Sequence, residues 1–144
     1  MSNQATDLAT TVKLMRPVLP AKNFDISKRF YADLGFQTRM LSDGLVEMRL
    51  GACAFILQNY YVQQWADNCV MHLGVSDLNV WWIHIVALDL RTRYGVKIDA
   101  PRRRDWGLVA GVVDPSGVLW RIAEIPAPAE QTEAWPNPRP DGQA

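Results

Sequence analysis

Apolar and polar positions along the chain fall into two successions of the same order. Val12–Leu19 is apolar enough for a strand, and Ile26, Phe30 and Leu34 then recur at i, i+4 and i+8, the period of one helix face. Asn23 or Asp25 supplies a cap and Gly35 a stop, so the spacing predicts a helix over about 26–34. Short runs parted by Ser42-Asp43-Gly44 and by Gly51 predict strands over 36–41, 45–50 and 52–60. From Cys69 the order repeats: a strand over 69–75, then a helix over 78–94 capped by Asp77 and stopped by Gly95. Strands over 96–100, 108–113 and 118–125 follow, the last two joined by Asp114-Pro115-Ser116-Gly117. Each half reads strand, helix, three strands. Gly44-Leu45-Val46 and Ala54-Phe55-Ile56-Leu57-Gln58 in one half parallel Gly107-Leu108-Val109 and Trp120-Arg121-Ile122-Ala123-Glu124 in the other, which points to a duplicated α+β domain.

The flanks differ from this pattern. Residues 1–11 are polar and small and read as a flexible leader, with no basic start and apolar run of a signal peptide. The tail from Pro126 to Ala144 holds five of the nine prolines, which rules out a regular helix or a central strand. Trp135 within it favours an arm docked on another surface. The domain therefore spans 12–125, with modules of about 12–60 and 69–125. The second helix is apolar nearly all round (Val80, Trp81, Trp82, Ile83, Ile85, Val86), which calls for a cover on its outer face: the tail or another subunit.

Charge narrows the function classes. Fifteen Lys and Arg balance fifteen Asp and Glu, against the basic excess of a nucleic-acid protein. No apolar run approaches the ~18 residues of a membrane span, so a cytoplasmic location is expected. Cys53 and Cys69 stand in apolar surroundings and read as buried, reduced thiols. Six Trp in 144 residues mark heavy use of large flat side chains. The phosphate-binding Gly-rich patterns, the G-x-S-x-G elbow, H-E-x-x-H and C-x-x-C are all missing from the sequence. His72 on a strand and His84 in mid-helix read as structural residues.

Two phrases carry a resemblance. Arg16-Pro17-Val18-Leu19, Asn23-Phe24-Asp25 and Arg29-Phe30-Tyr31-Ala32-Asp33-Leu34-Gly35-Phe36 resemble the first strand and helix of the vicinal oxygen chelate superfamily. Asp105-Trp106-Gly107, with Asp114-Pro115-Ser116-Gly117-Val118-Leu119-Trp120, resembles its last hairpin. Within the superfamily the likeness is nearest to bleomycin resistance proteins, through Pro17-Val18-Leu19, Trp106-Gly107 and Trp81-Trp82. The resemblance implies two βαβββ modules whose curved mixed sheets surround a cavity, with helices on the outer face. It also implies a homodimer and a small-molecule ligand.

Enzymes of this superfamily, such as glyoxalase I and the extradiol dioxygenases, hold a divalent metal from four strand positions. Those positions fall at about Arg16, Phe55, Met71 and Arg121. Arg stays protonated and Phe has no donor, so the resemblance implies a lost metal site and no cofactor. His72, Gln58 and Glu124 form a fallback set reached only by register shifts, which flip side chains to the other face. Alternation in the last strand puts Val118, Trp120 and Ile122 on a packing face and Leu119, Arg121 and Ala123 towards the cavity. The expected lining is Arg16, Phe55, Leu57, Met71, Leu73, Leu119, Arg121 and Ala123, with Tyr60, Tyr61, Trp65 and Trp106 at the rim. Arg121 has an alternative in an ion pair with Glu47, and Arg102-Arg103-Arg104 reads as a solvated loop.

The reading that follows is a metal-free binding protein of the antibiotic-resistance type. It sequesters an aromatic or amphipathic ligand, anionic where Arg holds a carboxylate or phosphate. Bleomycin itself is a cationic glycopeptide and its resistance proteins are acidic, so a neutral chain with Arg in its pocket argues against that ligand. The alternatives are a metal-dependent lyase or dioxygenase using the shifted set, and a protein-interaction module using the apolar helix and the tail.

Overall fold

A computed structural model describes residues 4–125, as two units. The first comprises the residues up to Asn68 together with Pro115–Gly117; the second comprises Cys69–Asp114 and the residues from Val118. The Pro-rich tail and Trp135 lie outside the described residues.

The first unit holds α1 (Gln4–Thr11), β1 (Val18–Pro20), α2 (Phe24–Leu34), β2 (Gln37–Ser42), β3 (Leu45–Leu50), β4 (Cys53–Gln58) and α3 (Gln63–Asp67). The second holds β5 (Val70–Val75), α4 (Leu78–Leu88), α5 (Leu90–Tyr94), β6 (Ile98–Arg104), β7 (Gly107–Val113) and β8 (Leu119–Glu124). The sheet orders are β1-β4-β3-β2 and β5-β8-β7-β6. In each sheet the first pair is parallel and the rest antiparallel. The duplicated strand, helix, three-strand order is thus present, as α+β with mixed sheets.

Asn23 caps α2, its Oδ1 accepting from the Ile26 N–H at 3.1 Å. Gly35 ends the helix at φ 126°, a backbone state closed to most L residues. Phe30, Tyr31 and Leu34 are buried, and Tyr31 and Phe36 meet Phe55 edge-on at 4.8 and 5.4 Å between ring centres. Val46, Met48, Leu57 and Leu19 complete this core on one face of the first sheet. In the second unit Asp77 caps α4 through Val80 N–H at 3.2 Å, and Glu124 Oε1 accepts from Leu78 N–H at 3.0 Å. Leu78 and Ile85 are buried on the face of the sheet that carries Trp120, Ile122, Ala110 and Val112. No helix among the described residues is long and apolar enough to cross a membrane.

Several boundaries depart from expectation. Gln4–Thr11, expected as a flexible leader, is helical, and the hydroxyls of Thr10 and Thr11 donate back to the carbonyls of Asp7 and Leu8. The first strand is short, Val18–Pro20, and α3 was not foreseen. The helix expected over 78–94 breaks at Asp89, which adopts φ 52°, ψ 50° and divides α4 from α5. The sixth strand runs on through Arg104, so Arg102, Arg103 and Arg104 are strand residues rather than a loop. Cys53 is exposed rather than buried; both cysteines are free thiols.

Candidate functional site

Strand pairing fixes which side chains share a face, because alternate residues point to opposite sides. In the first unit, Val46, Met48, Phe55 and Leu57 point under α2. Their neighbours Glu47, Arg49, Ala54 and Ile56 point to the open face, joined by Gln37 and Arg39 opposite Arg49 and Glu47. Glu47 is the centre of this face. Its carboxylate accepts from Arg16 Nη1 at 2.6 Å and Arg49 Nη2 at 3.2 Å, and Arg39 Nη2 stands 3.3 Å away. The three guanidiniums leave only 3% of the Glu47 side chain exposed. The Arg16 bond holds the Glu47 carboxyl below the usual range; burial pushes it upward, and Arg49 and Arg39 add to the downward pull. Beside these residues lies a groove of about 550 Å3 lined by Gln37, Thr38, Arg39, Glu47 and Arg49.

In the second unit the open face carries Leu119, Arg121 and Ala123 on β8, Val109, Gly111 and Val113 on β7, and His72 on β5, the register partner of Arg121. A bulge in β6 sets two residues against one between Asp99 and Arg102, so both join this face opposite Gly111 and Val109. Asp99, Arg102, Arg104, Gly111, Leu119 and Arg121 line much of a shallow hollow of about 130 Å3. Trp106, at the β6–β7 turn, reaches the His72 ring at 5.8 Å between centres and stays 52% exposed. Arg121 is exposed and makes no ion pair among the described residues. Behind the sheet, burial raises the Cys69 thiol pKa, helped by the nearby Asp114 charge.

Leu119, Arg121 and Ala123 are therefore on the expected face, with Trp106 beside them. Phe55 is not on the open face: it is 1% exposed, inside the aromatic cluster under α2, and Leu57 is equally buried. Ile56 takes the open position. Met71 and Leu73 are likewise a residue out, paired with Trp120 and Ile122 on the helix side, while His72 faces the open side. In β4, Phe55, Ile56 and Leu57 are apolar on both faces, so alternation does not mark the parity; in β5 His72 is the one polar side chain and marks the open side. Arg16 is on the open face but committed to Glu47, the carboxylate considered for Arg121. Tyr60 is exposed after β4, and Trp65 is half-buried in α3.

At the positions that the resemblance marks, with parity corrected, the first unit carries Arg16 and Ile56 and the second His72 and Arg121; of these only His72 has a lone pair for a metal. The fallback set fails on the sheet itself: Glu124 caps α4 on the helix side, opposite to His72. No three His, Cys, Asp or Glu side chains gather as a metal site among the described residues. Sequence reasoning misses Arg39 and Arg49, and takes His72 only as a structural residue or fallback metal ligand. The signal for the two arginines is the polar residue at every second position, Gln37 and Arg39 on one strand and Glu47 and Arg49 on the next.

No protein-family model matches the chain, and no curated protein matches it significantly. Solved structures do. A bleomycin-binding protein in complex with bleomycin is 25% identical, with a TM-score of 0.69 over 80% of this chain and 100% of that one. A bleomycin resistance determinant encoded on the transposon Tn5 is 23% identical, with a TM-score of 0.65 over 81% and 100%. The lactoylglutathione lyase of Agrobacterium tumefaciens is 18% identical, with a TM-score of 0.58 over 78% and 92%. The chain is similar to both binding proteins and an enzyme on the same fold.

Proposed function

We propose, for a chain that shares the fold of bleomycin-binding proteins and whose motifs resemble the vicinal oxygen chelate superfamily, a role as a metal-free small-molecule binding protein of the bleomycin-resistance type. The observation that carries this reading is the half-exposed Trp106 ring beside His72, on the face where Arg121 is free of ion pairs among the described residues. An exposed indole offers a flat apolar surface to a planar ligand, with offset or edge-on ring packing. The Arg121 fork accepts a carboxylate or phosphate with two parallel hydrogen bonds. Leu119, Val109 and Val113 supply the apolar floor. Such a site holds an aromatic or amphipathic molecule, oriented by one anionic group, and sequesters it. This polarity is opposite to that needed for a cationic glycopeptide, so the ligand is a different one from bleomycin.

The binding form is a homodimer in the cytoplasm. Val80, Ile83 and Val86 form an exposed apolar stripe along α4, which supports a protein contact there. Light scattering on the full chain checks the dimer. The binding reading is tested by thermal-shift screening of aromatic acids on protein purified without chelator, with elemental analysis of the same sample. Stabilisation by a compound class without bound metal supports it. Stoichiometric transition metal per chain overturns it.

A further inference from the structure

We propose that the groove on the open face of β2 and β3 is a second binding site, for the phosphate group of a small molecule. It lies wholly in the first unit.

The argument starts from charge. Three guanidiniums meet at one carboxylate, so the cluster carries two positive charges in excess. A third guanidinium, brought onto the same face, adds like-charge repulsion that a bound anion relieves. The donors are also in excess. Each guanidinium has five N–H groups in a rigid fork, and each engages Glu47 through a single nitrogen. Among the described residues nothing else engages them.

Geometry gives the second half. Glu47 lies beneath the guanidiniums and is 3% exposed, whereas Arg39 and Arg49 are 69% and 36% exposed. The carboxylate therefore braces the arginines from below and leaves their outer edges turned to the groove. Arg39 and Arg49 sit diagonally on paired strands, with Gln37 opposite Arg49 to add an amide donor. The groove of about 550 Å3 is of the size that takes a small organic molecule. A phosphate monoester carries roughly −1.5 to −2 at pH 7 and three acceptor oxygens. That matches the excess charge and the forked donors; a monocarboxylate supplies only half of it.

The test is calorimetric titration of inorganic phosphate into the full-length protein at constant ionic strength set by chloride. Acetate serves as the monoanion control. Saturable phosphate binding is expected, weakened roughly tenfold or more in Arg39→Ala/Arg49→Ala and only partly restored in Arg39→Lys/Arg49→Lys, which keeps charge without the fork. Trp106→Ala/Arg121→Ala, which removes the Arg121 fork, is expected to keep the phosphate site that Arg39→Ala/Arg49→Ala removes. Phosphate binding no tighter than chloride, equal binding of acetate, unchanged affinity in Arg39→Ala/Arg49→Ala, or loss in Trp106→Ala/Arg121→Ala overturns the proposal. Circular dichroism of each variant confirms that it folds.

Discussion

Arg16 Nη1 donates to Glu47 Oε2 at 2.6 Å, tying the segment before β1 to the middle of β3 on the sheet's open face. Glu47 is almost without solvent and keeps a carboxyl held below its usual range, with Arg16 the largest cause. A group whose folded pKa is depressed contributes stability above its unfolded value and loses it as pH falls through the folded one. The parent protein is therefore expected to lose stability on acidification below about pH 4.3, the ordinary Glu value. Glu47→Gln is expected to be less stable at neutral pH and to lose less over that window. Thermal melts of both proteins from pH 7 to pH 3 check this; parallel curves contradict it.

Phe55 belongs to the core rather than to a ligand face. Phe55→Ala is expected to cost about 3–5 kcal/mol of unfolding free energy, as a large buried aromatic does. Ile56→Ala, on the open face, is expected to cost clearly less. Urea unfolding of the two variants decides the parity of β4.

Helix α4 begins with two side-chain acceptors, Asp77 for Val80 N–H and Glu124 for Leu78 N–H. Asp77→Ala is expected to destabilise by about 1 kcal/mol, the usual cost of losing an N-cap. Asp77→Asn keeps the acceptor and is expected to stay near the parent. Denaturant titration separates them.

The two thiols are expected to differ in reactivity. Cys53 is exposed, while Cys69 is partly covered and its thiol is pushed up by burial and Asp114. Alkylation followed by mass spectrometry is expected to label Cys53 first at pH 8. Cys69 is expected to catch up only as the pH rises past the ordinary thiol value of about 8.5. Equal rates at pH 8 contradict this.

The duplicated order was legible because its punctuation is local: Asn23 and Gly35 around α2, Asp77 before α4, Gly95 after α5, and the Asp114–Gly117 turn. What was not legible depends on sheet faces. In β8 the charge of Arg121, between the buried Trp120 and Ile122, marks the open side. In β4, Phe55, Ile56 and Leu57 are all apolar, so nothing local tells core from open face; burial under Tyr31 and Phe36 decides it. His72 is the polar marker in β5, although a lone His on a strand reads as structural. The break at Asp89 escaped because neither Gly nor Pro stands there; Asp is one of the few other residues that tolerates the left-handed backbone. The Glu47 cluster joins residues from three separated segments, and only strand pairing brings Arg39 opposite Glu47.

Ligand binding at the Trp106–Arg121 face without a metal is tested most directly by calorimetric titration with an aromatic acid selected by thermal shift. The expected result is saturable binding by chelator-treated parent protein, weakened roughly tenfold or more in Trp106→Ala/Arg121→Ala, a loss of about 1.4 kcal/mol. Binding that requires added metal, or that is unchanged in the double variant, contradicts it.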